Sequence, residues 1–153
     1  MNKYTEQETR NYYNKEDAVY QSLWSNKGNV HWGYFKSQKE SLDDAMSNLN
    51  KKMLALSEIG SSSKVLDVGC GNGVNAAFIK RKTKATVVGL DLSDVRIDNA
   101  QQRYGNDGIV FVQGSATQLP FEDEEFSHVF SQSTLYHVHD KEKALQEIYR
   151  VLK

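Results

Sequence analysis

Hydrophobic positions follow two rhythms along the 153-residue chain. Up to about residue 60 they recur at helical intervals among polar and aromatic residues. Residues 16–23 read as a short helix stopped near Gly28, and the spacing predicts a second helix over 39–59. Its apolar face is Leu42, Ala45, Met46, Leu49, Met53 and Leu56. After the short connector Gly60-Ser61-Ser62-Ser63 the rhythm changes to brief continuous apolar runs at 65–68, 85–91, 109–113 and 126–132. Runs without alternation belong to strands buried on both faces, which occur in parallel sheets. Helical patterns at 74–82, 93–104 and 141–152 separate or follow them, the last with Ala144, Leu145, Ile148 and Leu152 inward. The chain therefore reads as an N-terminal helical cap over 1–60 and an α/β core with a doubly wound parallel sheet over 61–153.

One stretch organises that core: Val65-Leu66-Asp67-Val68-Gly69-Cys70-Gly71-Asn72-Gly73. Glycines at alternating positions after a buried strand let the backbone turn tightly and approach a ligand with no Cβ between them. The helix that follows presents its free N–H groups to the same place, as at a nucleotide site of a Rossmann-like fold. A dinucleotide fingerprint, G-x-G-x-x-G, needs its third glycine at position 74, which is Val74. Asp91 ends the second strand close to the spacing of about 20 residues at which an acid meets ribose hydroxyls. A helix-capping role for Asp91 is the weaker reading, because Ser93 or Asp94 already offers the cap.

The series Asp67-x-Gly69-x-Gly71-x-Gly73 resembles motif I of the class I S-adenosylmethionine-dependent methyltransferases. Gly114-Ser115-Ala116-Thr117-Gln118-Leu119-Pro120-Phe121 is similar to that family's Gly-Asp-Ala-x-x-Leu-Pro-Phe segment, with Ser115 in place of the acid that accepts from adenine. The resemblance implies strand order 3-2-1-4, which right-handed crossovers also favour. It implies ribose on Asp91, adenine against Leu92, Ser115 and Ala116, and Gln132 overlooking the reactive methyl group. His137, closing Leu135-Tyr136-His137, would orient the acceptor or take its proton, or else simply cap its loop.

The N-terminal part looks like the cap of small-molecule methyltransferases of the sarcosine/dimethylglycine, tocopherol and ubiquinone/menaquinone types. The matching residues are the pair Tyr12-Tyr13 and the run His31-Trp32-Gly33-Tyr34, with Trp24 between them. These rings read either as packing for the cap or as a lid that excludes water and faces a cation. S-adenosylmethionine is then the cofactor, S-adenosylhomocysteine its product, and a small nucleophile the acceptor, an amine such as sarcosine or dimethylglycine foremost. Relatives continue with three further strands, so the fourth strand is expected to be an exposed edge. The alternative is a cofactor-binding half-protein that works only when a C-terminal partner chain or self-association completes the sheet.

Composition narrows the picture without redirecting it. Hydrophobic residues at 39%, charged residues at 25% and a net charge of −1 give no field that favours nucleic acid or a membrane surface. The single cysteine, Cys70, lies in the glycine loop and reads as a small buried filler. No apolar run suits a signal peptide or a membrane span, so a cytoplasmic setting is expected. Glu122 to Glu125 read as a solvated turn, and His137, His139 and Asp140 lack a further ligand, so no metal is expected.

Overall fold

The computed structural model describes residues 4–23 and 31–153. Four strands, β1 (Lys64–Val68), β2 (Thr86–Asp91), β3 (Val110–Gln113) and β4 (His128–Phe130), form one parallel sheet in the order β3-β2-β1-β4. Helices α3 (Val74–Thr83), α4 (Asp94–Tyr104) and α5 (Lys141–Val151) complete the core, preceded by α1 (Glu6–Leu23) and α2 (Leu42–Ala55). The expected α/β fold and strand order are thus observed.

The two central strands are buried from Val65 to Val68 and from Val87 to Asp91, as unalternating apolar runs require. Successive residues of β1 serve opposite faces. Val65 joins Ala76, Ala77, Ile79 and Val87 under α3, whereas Leu66 and Val68 join Leu90, Leu119, Phe126 and Val151. The last of these belongs to α5, so helices cover both faces of the sheet.

Four expectations change in detail. The first helix runs from Glu6, ten residues earlier than its apolar pattern indicates. Its start is a reciprocal cap: Glu8 N–H donates to Thr5 Oγ1 at 3.2 Å and Thr5 N–H donates to Glu8 Oε2 at 2.7 Å. Asp17 is its one buried residue, so no apolar stripe marks it. The second helix is capped by Ser41, whose hydroxyl accepts from Asp44 N–H at 3.1 Å; it buries Asn48 and Asn50, whereas Leu42 and, just past its end, Leu56 are exposed. In α5 Ala144 and Ile148 face the core as expected and Val151 joins them, whereas Leu145 is exposed.

The fourth strand is three residues long because the backbone of Phe126 turns to the other side. Phe126 N–H donates to Val151 C=O, and Lys153 N–H donates to Phe126 C=O, both at 2.9 Å. At the other end pairing with β1 stops at Phe130, so Gln132 lies beyond the strand.

Candidate functional site

The carboxyl ends of β1 and β2, together with the chain following β3 and β4, open onto one cleft of roughly 1020 Å³, part of it open to solvent. This is where an open parallel sheet reverses its winding and binds ligands. The glycine loop forms its floor. Gly69 and Cys70 donate their N–H groups to Leu90 C=O at 2.7 and 3.0 Å, which clamps the loop to β2. Gly69 has φ +76, and a Cβ there would lie 2.1 Å from Thr134 Oγ1. Gly73 has φ +81, caps α3, and lies so close to Ala100 and Phe111 that a Cβ would meet both at 2.9 Å. It is therefore a packing glycine, and it does not line the cleft.

Asp91 is buried at the end of β2 with both oxygens already oriented. Gly71 N–H donates to Oδ2 and Ser93 N–H to Oδ1, each at 2.9 Å. Each oxygen keeps a further lone pair for a ligand hydroxyl. Burial raises its pKa, opposed chiefly by the Arg96 charge. Asp67, at the end of β1, accepts from Asn75 Nδ2 at 3.3 Å, and burial pushes its pKa up to about 7. Cys70 is buried with its thiol pKa raised, which suits a filler.

Of the sequence candidates, Asp67, Gly69, Gly71, Asp91, Leu92, Ala116 and Gln132 line the cleft, and so do His137, His31 and Tyr13. His137 sits on a short 3-10 turn, Leu135–His137, edge-on to Tyr13 at 5.3 Å. Burial first, then Arg96 and Lys141, lower its pKa, so its imidazole is neutral near pH 7. His31 is buried, its Nδ1 2.8 Å from Trp32 C=O, and burial lowers its pKa too.

Ser115 stands apart from the cleft. Its hydroxyl bonds to the Glu6 carboxylate and accepts from Thr117 N–H at 3.0 Å, so it is already engaged. Tyr12 is turned out and shares a hydrogen bond with Tyr20. Trp32 and Tyr34 also point away, because Gly33 seats against Ala45 and Tyr34 N–H donates to Ala45 C=O at 2.8 Å. The Tyr34 ring lies under Lys52 Nζ at 4.4 Å. Trp24 lies outside the described residues.

Several cleft residues carry no sequence signal of their own. Glu6 and Thr9 reach it only because α1 starts early at the Thr5 cap. Thr134 follows Ser133, a non-glycine residue at φ +56, the kind of strained backbone that clusters at functional sites. Arg96 arrives on the first turn of α4, where it donates from Nε to Asp17 Oδ1 at 3.0 Å. Asp17 also accepts from Asn72 of the glycine loop at 3.1 Å and from Asn99 at 2.9 Å. A buried polar hub thus ties α1 to the loop and to α4. Among the described residues no cluster of potential metal ligands occurs, and no helix is long and apolar enough to cross a membrane.

Residues 66–153 match a family described as a methyltransferase domain. The chain belongs to that family. The resemblance carried by the glycine loop is thereby borne out, and with it the class I methyltransferase fold and S-adenosylmethionine as the family's cofactor. Over 152 residues, 95% of this chain and 54% of the relative, it is 30% identical to methyltransferase GfsG of Streptomyces halstedii. It is 32% identical to the sarcosine/dimethylglycine N-methyltransferase of Halorhodospira halochloris over 151 residues, 94% of this chain and 54% of the relative. The chain spans about half the length of these curated relatives. Among solved structures, the [4+2]-cyclase SpnF superposes with a TM-score of 0.89 at 26% identity, covering 98% of this chain and 57% of that one.

Proposed function

We propose that the cleft binds S-adenosylmethionine and that the protein transfers its methyl group to a small-molecule acceptor. The observation that carries this reading is Asp91, a buried carboxylate beside a glycine loop, with each oxygen fixed by a backbone N–H and a lone pair left for a ribose hydroxyl. The loop fits the same ligand: at Gly71 no atom lies within 4 Å of where a Cβ would stand, so bare backbone meets the cleft. Bound S-adenosylmethionine supplies a methyl group on an activated sulfonium, which leaves the protein mainly to align the acceptor and exclude water.

The chain's own residues divide that work. Asp91 holds the ribose, with Leu92 and Ala116 beside the base. Asp67 and Gln132 border the amino-acid end. Neutral His137 accepts a hydrogen bond or a proton from the acceptor, and Tyr13, edge-on to it, fixes its ring. His31, buried near Gln132 at 3.1 Å, helps to close that end. Among acceptors we favour a secondary or tertiary amine, a choice supported by the Halorhodospira relative, although other relatives are named for a rifamycin derivative and for sterols.

The test is transfer of labelled methyl from S-adenosylmethionine to a panel of amines and hydroxyl compounds. We expect an amine to be labelled, with turnover in H137N reduced about 10²-fold or more. Labelling of hydroxyl acceptors alone would overturn the amine. A second reading separates binding from turnover: the outer edge of β4, which carries no strand among the described residues, takes a further strand from another chain. Turnover by the isolated monomer would sink it.

A further inference from the structure

Among the described residues, three carboxylates line the cleft, those of Glu6, Asp67 and Asp91, against one fixed positive charge, Arg96. That imbalance matters because Arg96 is only 8% exposed and its Nη2 is buried without a hydrogen-bond partner. A guanidinium offers five donors in a rigid fork, and an unpaired buried one is costly. Asp17 does not relieve it. Its oxygens take Arg96 Nε and also donors from Asn72, Asn99 and Gln21.

The guanidinium lies 4.3 Å from the centre of the Tyr13 ring, and that ring meets His137 edge-on. The Arg96 charge is felt at Asp91, where it opposes the upward push of burial. It is felt also at His137, where it adds to the downward push of burial. Arg96 thus lines the same cleft as the carboxylate proposed for ribose, and Tyr13 links it to the imidazole proposed for the acceptor.

We propose that Arg96 is a carboxylate-binding subsite of the cleft it lines, its guanidinium shifting on binding so that the unpaired Nη2, closed to solvent in the free protein, donates to an anionic oxygen of a bound ligand. Under the methyl-transfer reading, on which this assignment of sources rests, the carboxylate belongs either to the acceptor or to the amino-acid end of the cofactor. Its place against the Tyr13 ring, which meets His137 on its edge, favours the acceptor, so the protein selects acidic acceptors over neutral ones of the same shape.

The experiment is calorimetric titration of wild type, R96M and R96K. One arm compares dimethylglycine and acetate with their amides, with and without S-adenosylhomocysteine. The other compares S-adenosylhomocysteine with 5′-methylthioadenosine, which lacks the amino-acid end. Wild type should prefer acid over amide. R96M should lose about tenfold or more in acid affinity, with amide and methylthioadenosine unchanged. R96K, which keeps the charge opposite Asp17 but not the fork, should fall between them, and it carries the test if R96M fails to fold. Loss confined to S-adenosylhomocysteine would assign the carboxylate to the cofactor. The proposal is overturned if wild type does not distinguish acid from amide and the ratio of the two adenosyl ligands is the same in every variant. Equal loss for all ligands in R96M also overturns it, leaving Arg96 as a staple for α1. Acid discrimination without any binding of S-adenosylhomocysteine would refute the methyl-transfer reading and leave the subsite standing.

Discussion

At the scale of single residues, the glycine loop is fixed by two separable effects at Gly69. Its φ of +76 disfavours any side chain, and Thr134 fills the space that a Cβ would need. G69A should therefore destabilise the protein by about 2 kcal/mol or more, and adding T134G should recover the steric part while the backbone cost of about 1–2 kcal/mol remains. Urea denaturation of the two variants checks this, and no recovery in the pair would mean that the clash is not the dominant cost. Asp67 makes a second prediction. Its carboxyl titrates near 3.8 when exposed and near 7 in the fold, so between those values the folded chain holds a proton that the unfolded chain has lost. The stability it contributes is complete below about pH 3.8 and disappears as pH rises through about 7. Stability of wild type relative to D67N should fall over that window; parallel urea midpoints for the two proteins from pH 4 to pH 8 would contradict it.

At the scale of elements, α1 illustrates what a sequence reveals and what it conceals. Strands β1 and β2 were legible because burial on both faces leaves an unbroken apolar run. The first ten residues of α1 were not, because the helix packs through Asp17 rather than through an apolar stripe, and a polar hub has no periodicity. The Thr5–Glu8 capping box was the available signal. The same blindness hid Arg96 and Thr134, which enter the cleft through tertiary approach, and it brought in Ser115, which pattern alone could not show to be held by Glu6. The lid residues Trp32 and Tyr34 turn outward because Gly33 seats on Ala45, a contact between elements that local sequence does not encode. Since Asp17 is all that α1 buries, D17A should free that helix while leaving the sheet intact. Removing one partner of a buried ion pair costs about 3–5 kcal/mol, more than so exposed a helix can offset. Trypsin should then cut after Arg10 and Lys15 at least tenfold faster, with the core surviving as a stable fragment; cleavage at the wild-type rate would show that α1 is held by something else.

At the scale of the whole molecule, the sheet order, the switch-point cleft and the family match agree, and all three concern the cofactor more than the acceptor. A solved neighbour described as a [4+2]-cyclase has nearly the same backbone, so the fold alone does not fix the chemistry. The chemistry rests on the cleft, and the cleft rests on Asp91. The most direct measurement is therefore calorimetric titration of the 153-residue protein with S-adenosylmethionine, S-adenosylhomocysteine and NAD, repeated on D91A with its fold checked by circular dichroism. The account predicts that the two adenosyl ligands bind, that NAD does not, and that D91A weakens both by about tenfold to a hundredfold, the worth of hydrogen bonds to a charged group. Tight NAD binding, or a folded D91A that binds S-adenosylhomocysteine as well as wild type does, would contradict it.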